Sequence, residues 1–220
     1  MRFQDAAKDA RAVVYAGIQA DPLVVRAAEL LTDATVAQRV LARAVMNGET
    51  TDPDAWRATF PTLFGEEEDP DQVERSEAIL VASLEVADRG EQVRSQVRGA
   101  LVEEITAQLL RRRSGPLVKR ERRILFDGVA AEIHPYDVTV ERPGGSAALD
   151  CKWGARGINA DVLHQLDDAR AHAAAEGLSL TVALVVYDAA RSCKVRLARQ
   201  TAPHAKTGLI SLETLNRLAG

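Results

Sequence analysis

The chain has 220 residues, of which 46% are hydrophobic and 27% charged, with a formal net charge of -4 and only two cysteines. That length and apolar content place it among globular proteins, with room for one good-sized domain and a smaller one. No apolar run reaches bilayer length, and the opening MRFQDAAKDARAVVY has charges where a signal peptide needs an apolar stretch. A cytoplasmic protein without membrane contact is therefore expected, and its thiols Cys151 and Cys193 are expected to stay reduced. Neither cysteine has a second nearby and the four histidines are scattered, which argues against a zinc site.

The net charge averages two unlike halves. Residues 1–90 hold 9 Lys and Arg against 17 Asp and Glu, whereas residues 91–220 hold 19 against 15. The second half is the one suited to a polyanion. Its positive charge gathers in RRRSGPLVKRERR, residues 111–123, where 7 of 13 residues are Arg or Lys. Taken alone, this run reads as a solvated helix end and turn.

In chain order, the first ninety residues have apolar positions at three-to-four spacing, as in Val13, Val14, Ile18 and Leu23, Val24, Ala27, Leu30, Leu31. This predicts a helical region. Breaks are expected at Asp21-Pro22, from Asn47-Gly48 to Pro53, and in the acidic stretch from Gly65 to Gln72, with one more helix over 73–88. Trp56, Phe60 and Phe64 read as core or interface anchors. This half shows no repeat and no chemical motif, and a homodimer contact, a protein partner or a regulatory role are the uses open to it.

From Glu91 the pattern changes. A long helix is predicted to about Arg113, with Val97, Leu101, Ile105 and Leu109 on one stripe, ending before Ser114-Gly115-Pro116. Strands follow at Leu117–Phe126, Ala131–Glu141 and Ser146–Trp153, the last two joined by a hairpin turn at Pro143-Gly144-Gly145. A helix from Asn159 to Glu176 and an apolar strand from Leu180 to Tyr187 come next. A short strand around Lys194–Leu197 and a closing helix over Ser211–Leu218 complete the expectation. The order is α-β-β-β-α-β.

The third strand carries chemistry. In ALDCKWG, Asp150 and Lys152 are two apart and leave the same face of the strand, while Cys151 faces the other way. Such a triplet is compatible with a plain surface ion pair. Asp137, thirteen residues earlier in HPYDVTV, adds weight, because the hairpin folds its strand back against the third and lets Asp137 and Asp150 converge on one cation. Two carboxylates side by side repel each other, and a hard divalent ion relieves that repulsion. Magnesium there would polarise a phosphate and activate water, with the Lys152 ammonium stabilising the developing charge.

With Asp137, then Asp150-Cys151-Lys152, on a hairpin after a helix, the chain resembles the PD-(D/E)xK nuclease superfamily. Pro135 stands two residues before Asp137 rather than adjacent to it. Gly99-Ala100-Leu101-Val102-Glu103 is similar to the Gly-x-x-Phe-Glu helix of the Mrr-like restriction branch, with Val in place of Phe. His164-Gln165-Leu166 is similar to the branch's following helix, and GLISLETLNRLAG to its last strand and helix.

The resemblance covers residues 91–220. It implies an α/β fold with a restriction-endonuclease-like αβββαβ core and a mixed central sheet, preceded by an all-helical region over 1–90. It also implies a DNA endonuclease, with RNA the lesser candidate, acting in restriction, defence or repair. The expected cofactor is Mg2+, for which Mn2+ can substitute, held by Asp137, Asp150, the backbone carbonyl of Cys151 and Glu103. Lys152 and Gln165 complete the catalytic set. Arg111, Arg112, Arg113, Lys119, Arg120 and Arg156 become candidates for phosphate contacts, which give salt-sensitive affinity without reading bases. Two rival readings remain at this point. One is a nuclease-fold module that binds DNA or protein without catalysis. The other is an unrelated enzyme with an Asp150-Lys152 ion pair near a small-molecule pocket, for which no Gly-rich phosphate loop, Ser/His/Asp order or Cys/His pair is present.

Overall fold

The computed structural model describes residues 1–6, 10–65, 67–127, 129–130 and 134–220. Two compact units emerge, one of Ala10–Ile105 and one joining Met1–Asp9 to Thr106–Gly220.

The first unit is helical. It holds α1 (Ala10–Gln19), α2 (Pro22–Thr32), α3 (Val36–Asn47), α4 (Pro53–Thr59), α5 (Pro70–Ala87) and the larger part of α6 (Glu91–Ser114), which passes into the second unit at Thr106. The breaks are set by local chemistry. Asp21 accepts the Leu23 N–H with Pro22 at the first helical position, and Asp52-Pro53 and Asp69-Pro70 repeat the device. Thr35 and Gln38 form a reciprocal capping box. The core of α2, α3 and α5 includes Leu31, Leu41, Val45, Ile79, Leu80 and Val86. Arg39, fully buried, donates from its guanidinium to the carbonyls of Leu31 (3.0 Å) and Thr32 (2.9 Å), satisfying the open C-terminal end of α2. Trp56, Phe60 and Phe64 are half-buried, with the Trp56 ring seated on Gly48, where a Cβ would lie 2.6 Å from it.

The second unit is a mixed sheet with helices. Its strands are β1 (Arg2–Asp5), β2 (Val118–Phe126), β3 (Val129–Ala130), β4 (Tyr136–Val140), β5 (Ser146–Lys152), β6 (Leu180–Val186) and β7 (Gly208–Ser211). They lie in the order β1-β2-β4-β5-β6-β7, with β3 paired to β2. Pairing is antiparallel from β1 through β5 and parallel from β5 through β7. The hairpin turn before β5 falls where Gly144 takes a φ of 85°, a left-handed conformation open to glycine. Helix α7 (Ala160–Ala175), capped by Asn159, crosses between the parallel strands β5 and β6 and ends near Gly177, whose φ is 69°. Leu163, Leu166, Ala169 and Ala173 of α7 pack with Val182, Leu184 and Val186 of β6 and with Ile124 and Phe126 of β2. Six of the seven β6 residues are buried, which explains its unbroken apolar run.

Three expectations are corrected. The helical first half opens on strand β1, which covers the edge of β2 through Arg2↔Leu125 to Asp5↔Arg122. The strand expected at Lys194–Leu197 is helix α8 (Ala190–Leu197). Cys193 is fully buried and Leu197, four residues on, is half-buried, while Val195 is 48% exposed, a burial pattern with helical spacing. The closing helix is a 3-10 helix over Leu212–Leu218. The second strand was expected from Ala131; residues 131–133 lie outside the described residues, and β4 runs from Tyr136. Among the described residues, no helix is long and apolar enough to cross a membrane.

Candidate active site

Strands β4 and β5 pair through Val138↔Leu149, Thr139↔Ala148 and Val140↔Ala147, a register that continues to set Asp137 level with Asp150. At this point Asp137 turns to the neighbouring strand's backbone. Its Oδ2 accepts the Cys151 N–H at 2.5 Å, a short charge-assisted bond. The Asp137 carboxylate thus sits on the Asp150–Cys151 peptide. Alternation along β5 then sorts the three side chains. Cys151 is buried with its Sγ 3.5 Å from the Thr106 hydroxyl of α6, while Asp150 Oδ1 and Lys152 Nζ form an ion pair with each other. Burial works against the charged form of Lys152, but the carboxylates of Asp150 and then Asp137 outweigh it and hold the ammonium well above the ordinary lysine range. After β5 the chain turns through a 3-10 segment, Ala155–Gly157. Gly157 lies so close that a Cβ there would be 2.9 Å from Cβ, Cγ and Cδ of Lys152. The absence of a side chain at position 157 therefore gives Lys152 its path.

Glu121 was missed in the sequence. It is the one acid in the basic run, on β2, where pairing steps from Arg120↔Val138 to Arg122↔Tyr136 and leaves Glu121 level with Asp137. A carboxylate oxygen of Glu121 lies within 4.8 Å of one of Asp137. Glu121 has a φ of 51°, in the left-handed region that a residue with a side chain seldom occupies. Strain of this kind persists where surrounding structure enforces it, often at functional positions. Two carboxylates at this spacing form an oxygen-donor set of the sort that could hold a hard metal cation. The signal in the sequence was an isolated Glu flanked by arginines on the strand next to Asp137.

Gln165 lies on α7 and is buried. Its amide accepts from the His134 N–H (3.2 Å) and donates to the His134 carbonyl (2.9 Å), and the Tyr136 hydroxyl bonds to the Gln165 carbonyl at 3.3 Å. Its contacts are to the backbone that leads into β4, three residues before Asp137. Glu103, on the part of α6 belonging to the helical unit, is buried and accepts from the Tyr15 hydroxyl and the Gln19 amide of α1. His134 and His164 are exposed.

The basic candidates fall in separate places. Arg111, Arg112 and Arg113 are exposed at the end of α6. Arg113 lines a cleft of about 300 Å³ with Arg142, Gly145 and Ser146, at the start of β5. Lys152 is at the other end of that strand, roughly 20 Å away at the usual rise per residue. Lys119 is exposed and Arg120 half-buried on β2. Arg156 is exposed in the 3-10 segment directly after the lysine strand.

No family model, no curated protein and no solved structure matches this chain.

Proposed function

We propose that the sheet unit is a metal-dependent endonuclease hydrolysing DNA phosphodiester bonds, built on the restriction-endonuclease-like core of the PD-(D/E)xK superfamily. The observation that carries this reading is the Asp137 carboxylate seated on the Cys151 N–H, between Asp150 and Lys152. An acid, a second acid and a lysine at one strand pair suit phosphodiester hydrolysis better than a plain surface ion pair, because Asp150 is only 5% exposed.

Asp137, Asp150, the Cys151 carbonyl and Glu121 are the ligands we assign to Mg2+ or Mn2+, with Glu103 retained as the helix carboxylate that the resemblance implies. A hard cation held there would neutralise phosphate charge and lower the pKa of a bound water. Lys152, whose ammonium pairs with Asp150, would serve as a hydrogen-bond donor to a phosphate oxygen. Hydrolysis forms one bond from water oxygen to phosphorus, breaks one P–O bond to a sugar oxygen, and delivers the water's proton, by way of solvent, to that departing oxygen. Gln165 is a positioning residue that fixes the entry to β4.

The test is cleavage of linear, circular, single-stranded and branched DNA, and of RNA, with Mg2+ or Mn2+. Asp150 and Lys152 pair with each other, and an alanine at either removes side-chain volume and hydrogen-bonding capacity along with the charge. The shape-preserving Asp150→Asn and Lys152→Gln are therefore the variants to use. Loss of cleavage with an unchanged circular dichroism spectrum supports the mechanism, and wild-type activity that survives EDTA sinks it. DNA binding without cleavage of any substrate would favour the non-catalytic module.

A further inference from the structure

A cleft of about 440 Å³ opens between the 3-10 segment after β5 and helix α8, and four of its lining residues are arginines: Arg156, Arg191, Arg196 and Arg199. Its floor includes Ala155 and Val195, and no Asp or Glu is among the residues that line it. Arg156, Arg191 and Arg199 are exposed and form no ion pair among the described residues, although acids outnumber bases in the chain as a whole. Four guanidinium groups around one concavity repel each other and raise the local positive potential, an arrangement suited to a polyanion.

The walls are tied to each other. The buried Asp188 carboxylate accepts the Ala155 N–H at 2.9 Å and the Ala189 N–H at 2.7 Å, joining the 3-10 segment to the start of α8. Further along, Arg196 Nε donates to the Ile158 carbonyl at 3.0 Å. The nearby acid Glu213 is engaged at the N-terminus of α8, where it accepts the Ala190 N–H. One wall also touches the candidate active site, since Gly157 lies against the Lys152 side chain.

We propose that this four-arginine cleft binds consecutive backbone phosphates of the DNA strand as it leaves the active site, and that it, rather than the Arg111–Arg113 cluster, is the principal phosphate contact. The proposal rests on the nuclease reading for the identity of the polyanion. Guanidinium forks match phosphate oxygens two at a time, and the apolar floor suits the sugar between phosphates. Contacts of this kind position a strand without reading its sequence.

The experiment measures binding of a fluorescein-labelled 20-base-pair duplex to the full chain by anisotropy, in EDTA and over a series of KCl concentrations. Arg191→Gln with Arg199→Gln is compared with Arg156→Gln, on a separate element, and with an Arg111→Gln, Arg112→Gln, Arg113→Gln triple variant. The α8 double variant is expected to bind at least ~10-fold more weakly, with a log-log salt slope smaller by about 2, one for each lost phosphate contact. Arg156→Gln should reduce the slope by about 1, and the triple variant should weaken binding less than the α8 double variant does. Wild-type affinity and slope in the double variant would overturn the proposal, as would a site saturated by inorganic phosphate with no loss of duplex binding. Arginine-dependent binding without metal-supported cleavage would leave this cleft standing and remove the nuclease reading. Cleavage with an unaltered KM in the double variant would do the reverse.

Discussion

Gln165 holds His134 by both ends of its amide, accepting the backbone N–H at 3.2 Å and donating to the carbonyl at 2.9 Å. A side chain on α7 thereby replaces a strand partner for the residue at the mouth of β4. Gln165→Ala removes two hydrogen bonds to the His134 backbone, a cost of about 2 kcal/mol in urea unfolding of the sheet unit. Because Asp137 follows three residues later, the same variant should lower kcat of metal-supported cleavage while changing KM little. Gln165→Glu is the sharper probe, since it keeps the acceptor and loses the donor. An unchanged kcat in both variants would show that Gln165 positions nothing.

The fit of Gly157 on Lys152 gives a second prediction. Gly157→Ala introduces a methyl 2.9 Å from three carbons of the lysine stem, the first of them Cβ, which is anchored to β5 and cannot swing away. Overpacking of this kind costs about 1–3 kcal/mol. Relief requires the 3-10 segment or Lys152 to shift, so cleavage should fall by ~10-fold or more even where the unit stays folded. Single-turnover rates and thermal melts of Gly157→Ala beside wild type separate the two effects.

Much of this arrangement was legible in the sequence because it obeys short-range rules. Asp150 and Lys152 share a face by period-two alternation, and Pro143-Gly144-Gly145 marks the hairpin that brings Asp137 back to them. What escaped depended on partners distant in sequence. Strand β1 is four residues, RFQD, with one half-buried side chain, and only its pairing to β2 makes it a strand. Helix α8 shows little helical periodicity in its sequence because Cys193 alone is its fully buried anchor. Its arginines therefore read as scattered charges, whereas Arg113, from the contiguous run at 111–123, falls at the far end of β5 from Lys152. Glu121 was concealed by its basic neighbours, and its backbone conformation has no signature in composition.

The helical unit carries a pH-dependent contact independent of the chemistry above. Asp21 caps α2 and pairs with Arg89, whose hydrogen bond is the main cause holding the Asp21 carboxyl below its ordinary range. A depressed folded value means that the contribution is complete above the unfolded value, near 3.8, and is lost as pH falls through the lower folded value. Asp21→Asn keeps the capping acceptor but not the charge, whereas Asp21→Ala removes both and should cost about 1 kcal/mol at neutral pH. Urea unfolding of the three proteins between pH 2 and pH 7 should show the wild-type advantage over Asp21→Asn shrinking towards the acid end. An advantage that is constant across that range would contradict the assignment.

Glu121 offers a test in which stability and function move in opposite directions. At a φ of 51° a side chain costs roughly 1 kcal/mol that glycine does not incur. Glu121→Gly and Glu121→Ala both delete the carboxylate that lies within 4.8 Å of Asp137, but only the glycine variant relieves the backbone. Glu121→Gly should therefore unfold at higher urea than Glu121→Ala by an amount equivalent to about 1 kcal/mol. If Glu121 and Asp137 hold a cation together, both variants should bind Mn2+ more weakly than wild type by ~10-fold or more in a calorimetric titration, and to the same extent as each other. Equal urea midpoints for the two variants would mean that the left-handed backbone stores no strain. Unaltered Mn2+ affinity in both would remove Glu121 from the metal site and leave Asp137 to act with Asp150.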